Sequence, residues 1–146
     1  MIIAIVGVIV LALALAVVVV IAKDRGPGPG EAAVAYELAW DYLDFESLFT
    51  LSGTELRDGL DRRGFIDAKR AAYAEQHALG GLVERVGIEQ VASVRDAAVA
   101  ITSVELHDQS VVHNRIELAR RNGRWQVIAY RLEPSAHDVP RADGMQ

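Results

Sequence analysis

Residues Ile2–Ala22 carry no charged side chain and no proline, and the single glycine among them is Gly7. A helix of that length, rising about 1.5 Å per residue, matches a bilayer hydrocarbon core of roughly 30 Å. The run therefore predicts a single membrane span with a polar domain behind it. In lipid every backbone N–H must be paired within the segment, which makes the span helical in spite of its many Val and Ile residues. A cleaved secretory signal is the competing explanation, because Val20-Ile21-Ala22 has the small-residue pattern of a cleavage site. Signal cores are shorter, about 7 to 15 residues, and follow a positively charged segment that is missing here. An uncleaved anchor fits better. Ala12 and Ala16 form a small-xxx-small pair, read as ordinary lipid-facing surface. Lys23 and Arg25 follow the run and no basic side chain precedes it, so the positive-inside rule puts the polar domain in the cytoplasm.

Every charged side chain lies beyond the span, so the net charge of −5 belongs to residues 23–146. That balance argues against nucleic acid, which selects basic surfaces, and makes the span rather than electrostatics the link to a lipid bilayer. The chain has no cysteine, which excludes disulfides, thiolate metal sites and a cysteine nucleophile.

Four segments follow from the punctuation. Residues 1–22 are the span. Residues 23–30, with Gly26-Pro27-Gly28-Pro29-Gly30, are a linker, and its last five residues reach at most about 17 Å. Residues 31–133 are one domain, and residues 134–146 are a disordered tail. Within the domain, Val34, Leu38, Tyr42, Phe45 and Phe49 recur at helical spacing and predict a helix from Glu31 to Phe49. Tyr36, Trp40 and Leu43 draw a second stripe on it. A short helix is expected over Glu55–Leu60 after Ser52-Gly53-Thr54, and a third over Arg63–Leu79, ended by Gly80-Gly81. From Leu82 the pattern turns to strands: Leu82–Val94, Ala97–His107, Ser110–Arg121 and Arg124–Glu133. Asn122-Gly123 is the strongest local signal, a two-residue turn that needs positive φ. Setting Arg121 opposite Arg124 puts Leu118 opposite Val127 and Ile116 opposite Ala129 on an apolar face. His113, Arg115, Glu117 and Tyr130 then fall on the other face.

Helices first, then a strand meander closed by a hairpin: this order resembles the nuclear transport factor 2-like superfamily. The residues that carry it are Tyr36-Glu37-Leu38-Ala39-Trp40-Asp41-Tyr42 in the first helix and Arg121-Asn122-Gly123-Arg124-Trp125-Gln126-Val127-Ile128 in the closing hairpin. The resemblance implies an α+β cone, with three helices packed on a curved four-stranded antiparallel sheet and a pocket between them. It implies a small membrane-anchored protein of the actinobacterial type. Such proteins include some associated with lipid importers, whose domains lie outside the cytoplasm. Charge and resemblance thus point to opposite sides of the membrane.

The resemblance also implies pocket chemistry. Relatives such as ketosteroid isomerase and scytalone dehydratase use Asp or His with Tyr as acid and base. The corresponding catalytic candidates are Asp41 and Tyr42 on the first helix and Tyr73 and His77 on the third, the last two spaced to share a helical face. Three have a plainer explanation: Asp41 solvated or paired with an arginine, Tyr73 in the core, His77 at a helix C-terminus. Tyr36, Trp40 and Tyr73 are the expected pocket lining. His113, Arg115, Glu117 and Tyr130 are an expected partner surface, through which a protein or a second copy could bind. The histidines at 77, 107, 113 and 137 show no ligand spacing, so no metal is expected, and no cofactor. The run Arg57, Arg62, Arg63, Lys69, Arg70 alternates with acids and reads as a solvated face. The expected function is a membrane-anchored, non-catalytic binding or accessory domain. The alternative is a small lyase or isomerase, which would require titratable side chains to converge inside the cone.

Overall fold

A computed structural model describes residues 26–133. The Ile2–Ala22 run and the tail after Glu133 lie outside the described residues. Among those described, no helix is long and apolar enough to cross a membrane.

Helix α1 spans Pro29–Asp41 and so starts inside the stretch expected as linker. Proline is pre-set for the first helical position, and the Glu31 carboxylate reaches back to accept from the Gly28 amide at 2.9 Å. The single helix expected to run through Phe49 is broken after Asp41. Leu43 takes a positive φ of 51°, and Asp44 caps a second helix, α2, over Phe45–Leu51, accepting from the Ser47 amide and hydroxyl. A 3-10 turn over Thr54–Leu56 stands where a short helix was expected. Helix α3 covers Arg62–Tyr73, with Asp61 as its cap, and ends six residues earlier than expected. A second 3-10 turn, His77–Leu79, leads into the sheet.

The sheet is an antiparallel meander of β1 (Val83–Val94), β2 (Ala97–Leu106), β3 (Val111–Arg121) and β4 (Arg124–Leu132), paired in sequence order. Strand β1 carries two irregularities, between Val83 and Arg85 and between Ile88 and Gln90. The helices cover one face. Ala32, Ala33 and Ala39 of α1 join Ala98 and Ala100 of β2 in the core, and these short side chains allow helix and sheet to approach closely. Leu48, Phe65, Ile116, Leu118 and Val127 fill the space beyond. Ser52 bridges to Val127, and the Gly53 amide donates to the Val127 carbonyl at 2.7 Å, tying the α2 exit to β4.

Two expectations about faces need correcting. Val34, Leu38 and Tyr42 do not form the main buried stripe: Tyr42 is 72% exposed while Tyr36 is 4% exposed. The alanines and acids of α1 set its inward face, and they do not register as an apolar stripe. In the closing hairpin, Arg121 pairs with Arg124 and Leu118 with Val127 as expected. A bulge at Ile128 then shifts the register, so that Glu117 pairs with Ala129 and Ile116 with Tyr130. One extra residue inverts the facing of all that follows. Tyr130 accordingly leaves the set with His113, Arg115 and Glu117 and points inward.

Candidate functional site

Glu37 lies one turn before the end of α1, 5% exposed, between the helix and the concave face of the sheet. Three side chains donate to it: Thr102 Oγ1 to Oε1 at 2.7 Å, Asn114 Nδ2 to Oε1 at 2.9 Å, and the Tyr130 hydroxyl to Oε2 at 3.0 Å. Thr102 and Asn114 occupy paired positions on β2 and β3. Thr102 is wholly buried and Asn114 is 3% exposed. Among the described residues Glu37 forms no ion pair; its neighbours are all neutral donors. A buried carboxylate is costly unless hydrogen-bonded, and each bond to a charged group contributes about 1.5–3 kcal/mol. Burial raises the pKa of Tyr130, and the charge of Glu37 adds to the rise, so the phenol stays protonated as a donor through the neutral range. Burial likewise raises that of Tyr36.

Glu37, Asn114 and Tyr130 form the floor of an open cavity of about 280 Å³. Its walls include Trp40, Tyr73, Val104 and Val112, and its rim includes Leu79, Leu82 and Leu132, all three substantially exposed. Trp40 packs on Tyr73 at 5.9 Å between ring centroids, and Tyr36 on Tyr130 at 5.6 Å. Trp40, Tyr73 and Tyr130 also border a second depression with Tyr36, Glu55 and Lys69.

Of the residues expected to line the pocket, Trp40 and Tyr73 line the floored cavity, whereas Tyr36 stands behind it and faces the second depression. Asp41 is neither solvated nor paired with arginine. It is 7% exposed, and its Oδ1 accepts from the Leu82 and Val83 amides at 2.7 and 3.0 Å, joining the end of α1 to the start of β1. Tyr73 and His77 do not share a helical face, because α3 ends at Tyr73 and His77 sits exposed on the following turn. His113, Arg115 and Glu117 lie on the outer sheet face. Glu117 accepts from Arg131 at 2.6 Å and lies 3.6 Å from Arg115, and His113 is 3.7 Å from Glu89. No metal-ligating group of His and acidic residues occurs among the described residues. Glu37 and Asn114 were not anticipated from the sequence. The one signal was an acid flanked by the buried aromatics Tyr36 and Trp40, with Thr and Asn interrupting two otherwise apolar strand faces.

Known structures agree with the architecture. An NTF2-like protein from Campylobacter jejuni, which carries the provisional name of a transpeptidase, superposes with a TM-score of 0.54 at 19% identity, covering 69% of this chain and 97% of its own. A SEC-C motif-containing protein from Rhodopseudomonas palustris gives 0.52 at 14% identity over 73% of this chain and 79% of its own. An NTF2-like protein of unknown function from Silicibacter pomeroyi gives 0.47 at 14% identity over 70% and 90%. No protein-family model matches the chain. No curated protein matches it significantly. The chain has the nuclear transport factor 2-like fold, and at these identities the likeness concerns the fold alone.

Proposed function

We propose that this protein is a membrane-anchored binding domain whose cavity holds a small amphipathic ligand without transforming it. The observation that carries this is the engagement of both cavity acids. Glu37 is held by Thr102, Asn114 and Tyr130, and Asp41 by two backbone amides. Acid–base turnover needs an acid and a base both free to exchange protons with a substrate; Asp41 is committed to two amides and the Tyr130 hydroxyl to Glu37, which leaves Glu37 one acceptor position for holding a ligand. A polar floor under a rim of Leu79, Leu82 and Leu132 suits a ligand with one polar end and an apolar body. The anchor is the Ile2–Ala22 run, joined to α1 by a short connection that holds the domain close to the membrane, where such ligands partition. The outer face with His113, Arg115 and Glu117 is available to a protein partner or a second copy.

The test is ligand-observed NMR with the full chain in nanodiscs and a panel of small amphipathic molecules. Saturation transfer should be seen with wild type and be weakened by Leu82→Asp at the rim. Chemical conversion of a panel member by wild type, abolished in Glu37→Gln, would replace this function with the isomerase or lyase alternative. A reporter fused after Gln146 and active only outside the cytoplasm should fluoresce if the importer-type arrangement applies, and stay dark if Lys23 and Arg25 govern orientation.

A further inference from the structure

The floor of the cavity is rich in acceptors and poor in free donors. A carboxylate offers about four acceptor positions. Thr102 and Asn114 occupy those of Oε1, while Oε2 receives Tyr130 alone. Because Asn114 must turn its amide nitrogen toward Glu37, its carbonyl oxygen points away. That Oδ1 is buried and has no hydrogen-bond partner. Buried polar atoms are seldom left unpaired in folded proteins. The cavity therefore presents a carboxylate with no cationic partner among the described residues and one open position on Oε2, while the orphaned Asn114 carbonyl is sealed behind it. Around it stand the rings of Trp40, Tyr73 and Tyr130; Lys69 already lies over Trp40 at 5.7 Å, and Tyr73 and Tyr130 offer further π surface to a cation. The net charge of −5 acts in the same direction at longer range.

We infer that the cavity selects a primary ammonium head group attached to an apolar body. This rests on the binding function proposed above and specifies its ligand. An ammonium has three donors and no acceptor. One of them reaches the open position on Glu37 Oε2, and its charge lies among the aromatic rings. An alcohol supplies one donor and no charge. A carboxylate or phosphate head would meet Glu37 with like-signed atoms and be rejected.

A matched series separates the two claims: phenethylamine, phenethyl alcohol, 3-phenylpropanoate and the trimethylated phenethylammonium ion. Binding is measured on the full chain in zwitterionic nanodiscs, through the side-chain amide signal of Asn114 and by calorimetry against empty nanodiscs. The amine should bind about tenfold or more tighter than the alcohol, the step expected of one charge-assisted hydrogen bond. The propanoate should not bind detectably. The trimethylated ion keeps the charge but has no N–H, and should bind about tenfold weaker than the amine. In Glu37→Gln the preference for amine over alcohol should fall to within about threefold. The trimethylated ion repeats the test without altering the protein, should that variant fold poorly. Equal affinity for amine, alcohol and propanoate would overturn the ammonium selectivity and leave a binding pocket standing. Failure of every member to bind would overturn both.

Discussion

Thr102→Val isolates one part of the buried carboxylate network. Thr102 is 0% exposed, and its hydroxyl donates to Glu37 Oε1 at 2.7 Å. Valine copies the shape of threonine and deletes the donor, leaving Oε1 with Asn114 alone. With both partners buried, the upper part of the range for charged hydrogen bonds applies, a loss of about 2–3 kcal/mol. For a domain of about 100 residues that corresponds to a fall in Tm of about 10–20 °C. Urea unfolding of the full chain should show the midpoint move while m stays constant, since the surface exposed on unfolding is unchanged. Glu37→Leu alone strands two buried donors, Thr102 and Asn114, at about 1–3 kcal/mol each. In the double variant Thr102→Val has no bond left to break and removes one of those orphans, so the double should be at least about 2–3 kcal/mol more stable than the sum of the singles. A Thr102→Val loss below about 0.5 kcal/mol, or strictly additive singles, would show that the network does not fasten α1 to the sheet.

Other expectations concern the periphery of the site. Hydrogen bonds from Arg121 hold the Glu55 carboxyl down at about 2. A depressed pKa contributes stability above the ordinary carboxylate value, and that contribution is lost as pH falls toward the depressed one. Carbon-detected titration should place the Glu55 midpoint near there in wild type and return it to the ordinary range in Arg121→Gln; equal midpoints would sink the assignment. Both side chains are about two-fifths exposed, so added salt should screen the pair and weaken its contribution. Asp41→Ala should destabilise by about 1–3 kcal/mol and strip hydrogen-exchange protection from the Leu82 and Val83 amides, whereas unchanged protection would show that their acceptor is dispensable. A Cβ at Gly53 would stand 3.0 Å from Ile128 Cγ2 and 2.5 Å from Glu55 Oε2. Gly53→Ala should therefore lose about 1–3 kcal/mol in denaturant unfolding, and a neutral result would mean that the Val127 tether yields easily.

Local chemistry made much of the architecture legible. Asn122-Gly123 set the last hairpin and its first pairs, and the shift from helical to alternating periodicity marked where the sheet begins. Two failures share a cause, because each depends on contacts made at a distance. Nothing in Gln126-Val127-Ile128-Ala129 announces a bulge, as no glycine marks it, yet that one residue carries Tyr130 to the floor of the cavity. Glu37 looked like a polar residue between two apolar stripes. Its burial is decided by Thr102 and Asn114, 65 and 77 residues further along the chain. Asp41 reads as solvated or paired with an arginine for the same reason: its partners are the amides of Leu82 and Val83, which no local pattern connects to it.

The irregularities of β1 bear on how copies of the chain meet. A meander exposes two rows of backbone donors and acceptors, one at each margin. At β4 the row is interrupted by Gly53, which occupies the Val127 carbonyl. At β1 the interruption is internal: two shifts within twelve residues break the spacing that an incoming strand would have to match. A neighbour zipping along this margin would fall out of step before gaining more than a few bonds. Crowding such molecules would then favour lateral contact through side chains over growth into a continuous ribbon.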